Sequence, residues 1–294
     1  MNQKIERNFL LRPLPASLRL HRHEPLAKEV RRIARGQIDT ACRALESQEN
    51  PDGAFHEARK ALKKLRALLQ LVAPEFGPTQ LKREKTRFRD AARLLAPVRD
   101  AQVRIKTLDA LLHGVEFAPE EFAQVRYDLQ AMADQNILHA GLATRRAVEI
   151  LRQARESVQR WPLTDLKWKP IQREIQRSYR KGRRALQRYQ RQPTPETFHT
   201  WRKHLKETCY HLRIVRNLLP GTAKQINALK ELGELAGNAQ DLTVLRETLA
   251  DSKAGVQTAR LIGEIDVRLP ALYQAALERG RQIYAGKPRD FATR

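Results

Sequence analysis

Cysteine is almost absent from this chain: Cys42 and Cys209 are the only two in 294 residues. Two thiols so far apart supply neither a disulfide framework nor a zinc-binding spacing, and they suit a reducing compartment. Glycine is also sparse, 13 in all, and is expected at breaks between apolar segments. No phosphate-cradling Gly-Lys-Ser/Thr loop, Gly-x-Ser-x-Gly elbow or His-Glu-x-x-His zinc motif occurs, which removes the commonest routes to hydrolysis and phosphoryl transfer. Aromatic residues make up 6% and do not interleave with the basic helix face described below, as a base-stacking platform requires. No apolar run approaches the roughly 18 residues of a membrane span. The segment 1–20 carries charges, Pro13 and Pro15 rather than an apolar leader core, so a soluble, cytoplasmic protein is expected.

Negative charge is short as well. Against 33 Asp and Glu stand 56 Lys and Arg, a formal net charge of +23. Folding gains nothing from that excess and bears its self-repulsion, so a polyanionic partner is implied. With 41% hydrophobic residues, the chain is not a disordered basic tail.

Apolar residues recur at three and four positions nearly throughout, and no segment alternates with the period of a strand. The spacing predicts helices at about 25–48, 54–73, 79–95, 98–113, 119–158, 166–190, 195–218, 222–250 and 256–285. The 119–158 segment reads as one helix or two. Asn50-Pro51-Asp52-Gly53 reads as a turn. Thr194 followed by Pro195 reads as an N-cap with proline at the first helical position. The fold class is all-α.

One pattern occurs twice. Residues 55–63 read Phe-His-Glu-Ala-Arg-Lys-Ala-Leu-Lys, and 198–206 read Phe-His-Thr-Trp-Arg-Lys-His-Leu-Lys. The duplication continues as Arg89/Lys230, Asp90/Glu231, Leu94/Leu235, Asp100/Asp241 and Val103/Val244. Each half therefore holds about four helices, as a bundle does. On a helical wheel, His56, Arg59, Lys60, Lys63, Lys64 and Arg66 fall within an arc of about 160°. Leu62, Leu65, Leu68, Leu69 and Val72 lie opposite. In the second copy His199, Arg202, Lys203, Lys206, Tyr210 and Arg213 share a face, backed by Leu205, Leu212 and Val215. A solvated basic face is the ordinary reading of one such helix. Here the like charges lack the usual Glu partners and the same conflict appears twice, which marks a functional site.

The His-x-x-Arg-Lys-x-Leu-Lys-Lys-Leu-Arg run at 56–66 resembles the signature of the CHAD family, the conserved-histidine α-helical domains. Arg99-Asp-Ala-Gln-Val, Tyr179-Arg-Lys-Gly-Arg-Arg-Ala-Leu, the run from His199 to Leu212 and Gln240-Asp-Leu-x-Val-Leu resemble further elements of that family. The resemblance covers about residues 25–285. It implies two four-helix bundles related by a pseudo-two-fold (about 21–160 and 165–286), forming one domain at 21–290 around a central basic groove or pore. It also implies binding of inorganic polyphosphate and association with polyphosphate granules.

The binding residues expected are those of the two basic arcs, from His56 to Arg66 and from His199 to Arg213. Arg89, Arg93, Tyr179 and Arg183 form a second tier, and Asp100 and Asp241 orient the cations. A flexible phosphate chain offers only charge and oxygens, which Arg forks and Lys point charges match. His56 and His199 have two readings: phosphate donors, or structural histidines bonded to backbone or to Asp100 and Asp241. Glu207 and Cys209 replace Lys64 and Arg66 in the second copy, making it less basic.

No enzyme activity, cofactor or metal is expected. Glu196-x-x-His199 has the spacing of a di-metal bundle, but Gly53 stands where the first copy needs its Glu. Nonspecific nucleic-acid binding is the alternative function. The opening Lys4-x-Glu6-x-Asn8 resembles the start of the triphosphate-tunnel (CYTH) family, but no β-rich segment follows, so it implies no activity. Oligomeric state is not legible.

Overall fold

Proline and apolar spacing set the architecture. In a computed structural model describing residues 17–47, 51–114, 119–252 and 255–292, the described residues form nine α-helices and no strand. They are α1 (Leu26–Glu46), α2 (Pro51–Leu71), α3 (Pro78–Leu94), α4 (Ala96–Leu112), α5 (Ala123–Gln159), α6 (Trp168–Arg191), α7 (Pro195–Val215), α8 (Ala223–Ala250) and α9 (Val256–Ile283). The expected helices are all present. The 119–158 segment becomes a short 3-10 turn and a single helix of 37 residues, about 55 Å long. The N-terminal segment, including its tunnel-family resemblance, lies almost wholly outside the described residues.

The helix starts follow their residues. Thr194 caps α7, its hydroxyl accepting from the Thr197 backbone while the Thr197 hydroxyl accepts from the Thr194 backbone. Pro195 takes the first turn, where a missing N–H costs nothing. The expected turn at 50–53 is corrected: Pro51, Asp52 and Gly53 open α2 instead. Asn50 is outside the described residues. Pro97 explains the largest difference between the halves. At the offset pairing Asp100 with Asp241 it corresponds to Asn238. A proline inside a helix clashes with the preceding turn, so the first half breaks into α3 and α4 where the second runs on as α8.

Packing falls into two sets, α1 to α5 and α6 to α9, joined where α2 meets α7 and α4 meets α8. One continuous apolar core runs through both. The seam of α2 (Leu62, Leu65, Leu68 and Leu69), with Val72 just beyond it, is at most 1% exposed, and Phe198, Trp201, Leu205, Leu212 and Val215 of α7 match it. Trp161 and Trp201 are buried packing anchors, Trp161 standing edge-on to Phe76. Polar ties cross the middle. His211 of α7 meets the Ala67 carbonyl of α2 at 3.0 Å, and Leu20 donates to the Ile214 carbonyl at 2.9 Å.

Gly280 on α9 faces the fully buried Trp201 ring. A Cβ there would lie 2.5 Å from Trp201 Cζ2 and 2.8 Å from Cη2. Alanine favours helix over glycine by about 1 kcal/mol, but forcing a rigid buried ring aside costs about 1–3 kcal/mol. With two contacts under 3.0 Å to a fully buried ring the cost falls in the upper part of that range, so Gly280→Ala should lower stability by about 1–2 kcal/mol net, read as a reduced midpoint in urea unfolding. An unchanged or raised midpoint would refute this account of the α7/α9 contact.

Candidate functional site: a cationic recess between α2 and α7

The apolar seams turn the polar arcs of α2 and α7 toward each other. Lys63 of α2 feels Arg59 on its own helix, Arg202 of α7 and Arg99 of α4. Lys206 of α7 feels Arg202 and Lys63. The two motif copies, 143 residues apart in sequence, thus share one electrostatic environment. Asp241 of α8 is the counter-charge acting on Lys63, Lys206, Arg99 and Arg202. Asp100 receives Arg59 at 3.4 Å, while the other Arg59 nitrogen donates to the Ala92 carbonyl at 3.1 Å.

Desolvation, then the neighbouring cations, pushes Lys63 down to about 8 and Lys206 down to about 7. Lys63 nevertheless keeps the accessible surface of an exposed residue. Both facts hold because neighbouring atoms crowd it without covering it. Arg99 and Arg202 are also held below the ordinary guanidinium value, chiefly by burial. The Nε of Arg202 is buried with no hydrogen-bond partner, a cost that an anionic oxygen offsets. Such a recess can hold several phosphate oxygens at once.

The remaining expected residues separate into groups. Lys64 and Arg213 come together across the two helices, and Arg213 lies over the Tyr210 ring at 5.7 Å. Lys60 pairs with Glu57 at 3.1 Å, which corrects the expectation that the motif helices lack compensating Glu. Lys203 is exposed beside His199, and Arg66 is exposed at the edge of its arc. Cys209 is buried, and Glu207 is half-buried near His204 and under the influence of Lys181. Glu207 therefore sits on the side of α7 toward α6, whereas Cys209 lies beside Lys206 and Arg213.

The second tier is largely engaged elsewhere. Tyr179 is 1% exposed, donates to the Ile283 carbonyl at 3.0 Å and stacks on Phe291. Arg183 donates to the Gly286 carbonyl at 3.3 Å. These two fasten α6 to the C-terminal segment, a correction to their expected place in the lining. Arg89 pairs with Asp90 at 3.0 Å and Arg93 is exposed at the end of α3.

Neither motif histidine has the expected aspartate partner. His199 Nδ1 lies 3.1 Å from Gln240 Oε1 and donates to it, with Arg202, Lys203 and Lys206 acting on the ring. His56 lies near Arg99, which occupies in the first half the position of Gln240 in the second. Burial lowers the pKa of both, and in His56 the positive charge of Arg99 adds to it. In both, the neutral imidazole is therefore favoured over the imidazolium. Sequence reasoning missed Arg99 as a site residue. Its signal was the pairing of Arg99-Asp100 with Gln240-Asp241, which puts a cation beside each orienting carboxylate only in the first copy. Among the described residues no three His, Cys, Asp or Glu side chains assemble as a metal-ligand set. Glu196 instead bonds Thr194 at the start of α7.

The model of the CHAD domain family matches residues 14–250. The chain belongs to the CHAD family. The fold is shared with the crystal structure of the CHAD domain from the plant Ricinus communis at a TM-score of 0.75 and 18% identity, covering 93% of this chain and 96% of that one. PptA from Streptomyces chartreusis is similar at a TM-score of 0.65 and 14% identity, covering 90% of this chain and 100% of that one. A comparison with curated proteins gives no match. At these identities the two structures establish the fold, and this CHAD chain's recess stands on its own residues. No helix among the described residues is long and apolar enough to cross a membrane.

The depressed lysines have a consequence for stability. Their folded pKa values lie below the unfolded one of about 10.4, so the unfolded chain binds more protons between the two and stability rises with pH there. Melting temperature at low salt should climb from about pH 7 to about pH 10. Lys63→Met with Lys206→Met should flatten that climb. An equally steep climb in the double variant would place its origin elsewhere.

Proposed function

We propose that this CHAD protein binds inorganic polyphosphate in the recess between α2 and α7. The observation that supports the reading is that Lys63, Lys206, Arg59, Arg99 and Arg202, from three helices, act electrostatically on one another, with Asp100 and Asp241 as their counter-charges. A repeating phosphate chain presents many oxygens to such a surface and needs no base-reading group. The Arg forks and the unsatisfied Nε of Arg202 suit it. Family membership supports the same ligand class. The protein would serve as a cytoplasmic module that targets or scaffolds polyphosphate granules, binding the chain without turning it over. Asp100 pairs with Arg59 and Asp241 stands as counter-charge to the surrounding cations, an arrangement suited to binding an anion.

Nucleic acid is the second reading, since any phosphate backbone is attracted here. The exposed large apolar side chains, Tyr127, Met132, Leu138, Leu142, Val256 and Val267, lie on α5 and α9 rather than on the motif helices. The recess therefore lacks the exposed rings on which bases stack.

Reversing Arg59, Lys63, Arg202 and Lys206 to Glu should abolish polyphosphate binding while circular dichroism keeps its helical signature. Undiminished affinity in that folded variant would sink the site assignment. In a competition titration with long polyphosphate, RNA and duplex DNA at physiological salt, polyphosphate should win. Preference for nucleic acid would overturn the function, and phosphate release would overturn the absence of turnover.

Binding should also take up protons. Phosphate charge restores Lys63 and Lys206 to the ammonium form, so affinity should fall above about pH 7–8. The slope approaches about tenfold per pH unit for each lysine that must recharge. Calorimetry in buffers of differing ionisation enthalpy reads the proton count directly, and a count of zero would contradict the recess electrostatics.

A further inference from the structure

Helix α6 carries a second concentration of positive charge that the recess does not use. Its 24 residues contain two Lys and seven Arg against one acid, Glu174. Arg173, Arg177, Arg180, Arg184, Arg188 and Arg191 are all exposed. Their spacing of three or four residues puts them within an arc of about 80°, along roughly 27 Å of helix. Lys169 begins the row one turn earlier and is exposed too. Arg184, Arg188 and Arg191 border a surface hollow of about 550 Å³ with Gln187 and Gln192.

The row is nearly uncompensated. Glu174 is 3% exposed and pairs only with Arg177, at 3.3 Å. The leading helix of the other half behaves differently. There Arg32 is held by Glu29 at 2.7 Å, while Asp39 and Glu46 take Arg155 and Arg152 at 2.6 and 2.7 Å. Like charges at three and four positions repel along a helix, so α6 keeps a cost that α1 avoids.

The row also faces away from the recess. The charges that act on Lys63 and Lys206 come from α2, α4, α7 and α8, with none from α6. The buried face of α6 (Ile171, Ile175, Gly182, Leu186) lies between the row and the core. Every exposed position of α6 is Arg, Lys or Gln, with no ring to stack a base. Guanidinium predominates over ammonium, as paired phosphate oxygens favour.

We infer that the outer face of α6 is a second track for a polyphosphate chain, and that recess and track together let one molecule cross-link long chains. This rests on the proposed recess function, from which two separated sites for one polymer follow as a physical cross-linker. Its consequence is condensation of the polymer rather than simple decoration of it.

The test compares the full chain with an α6 variant (Arg180→Gln, Arg184→Gln, Arg188→Gln) and the recess charge-reversal variant. Glutamine keeps helix propensity, and matched melting temperatures establish that each variant folds. Tripolyphosphate affinity by calorimetry reports the recess, and light scattering with long polyphosphate reports cross-linking. The α6 variant should keep tripolyphosphate affinity within about twofold while its scattering falls at least about tenfold. Unchanged scattering would overturn the inference. So would an equal loss of tripolyphosphate affinity, which would make recess and row one site. Scattering that persists with polyphosphate but is lost with RNA would assign the row to nucleic acid instead. If the recess variant keeps tripolyphosphate affinity, the recess reading fails, and a polyphosphate scattering loss confined to the α6 variant still supports the track on its own.

Discussion

Cations forced together in a place that water cannot fully screen are the constraint around which this structure is built. Lys63 and Lys206 face each other with Arg59, Arg99 and Arg202 nearby, and Asp100 and Asp241 balance only part of that charge. Left to themselves, flexible side chains of one sign move apart. They stay converged because the backbones that carry them are fixed from behind. The α2 and α7 seams are buried almost completely, and side chains at core density resist displacement.

That backing is also polar where the halves meet. His211 is wholly buried and, by burial above all, pushed down to about 4, so it stays neutral while meeting the Ala67 carbonyl. A neutral imidazole between α2 and α7 adds no further positive charge beneath the recess. The motif histidines play another part. His199 is held by Gln240 and His56 stands by Arg99, and in each the uncharged imidazole is favoured. The two copies are alike in their cations and unlike in what flanks them, because Arg99 in one half is Gln240 in the other. Charge crowding is accordingly heavier on the side of the first copy.

Much of this was readable in the residue order. Periodicity placed the helices, and Thr194 with Pro195 placed the start of α7, because capping and proline geometry are local. Each copy's basic arc and apolar seam follow from 3.6 residues per turn. Errors arose where local rules leave a choice. Pro51 to Gly53 suits a turn as well as a first helical turn, and packing of α2 on α1 selects the helix. Tyr179 and Arg183 lie in a family-like run, yet their partners, Ile283 and Gly286, are a hundred residues further on. Arg99 went unassigned because its neighbours His56 and Lys63 lie on another helix, a proximity that the packing of α4 on α2 decides.

The sequence by itself determined the all-α class, the duplicated motif, and which side of each motif helix is charged. These are properties of short segments, fixed by backbone geometry and side-chain chemistry within a few turns. Only the tertiary structure decided that the two charged sides face each other, that Arg99 joins them, and that the arginines of α6 point away. Long-range packing sets those relations through contacts between residues far apart in the chain, and no local pattern encodes them.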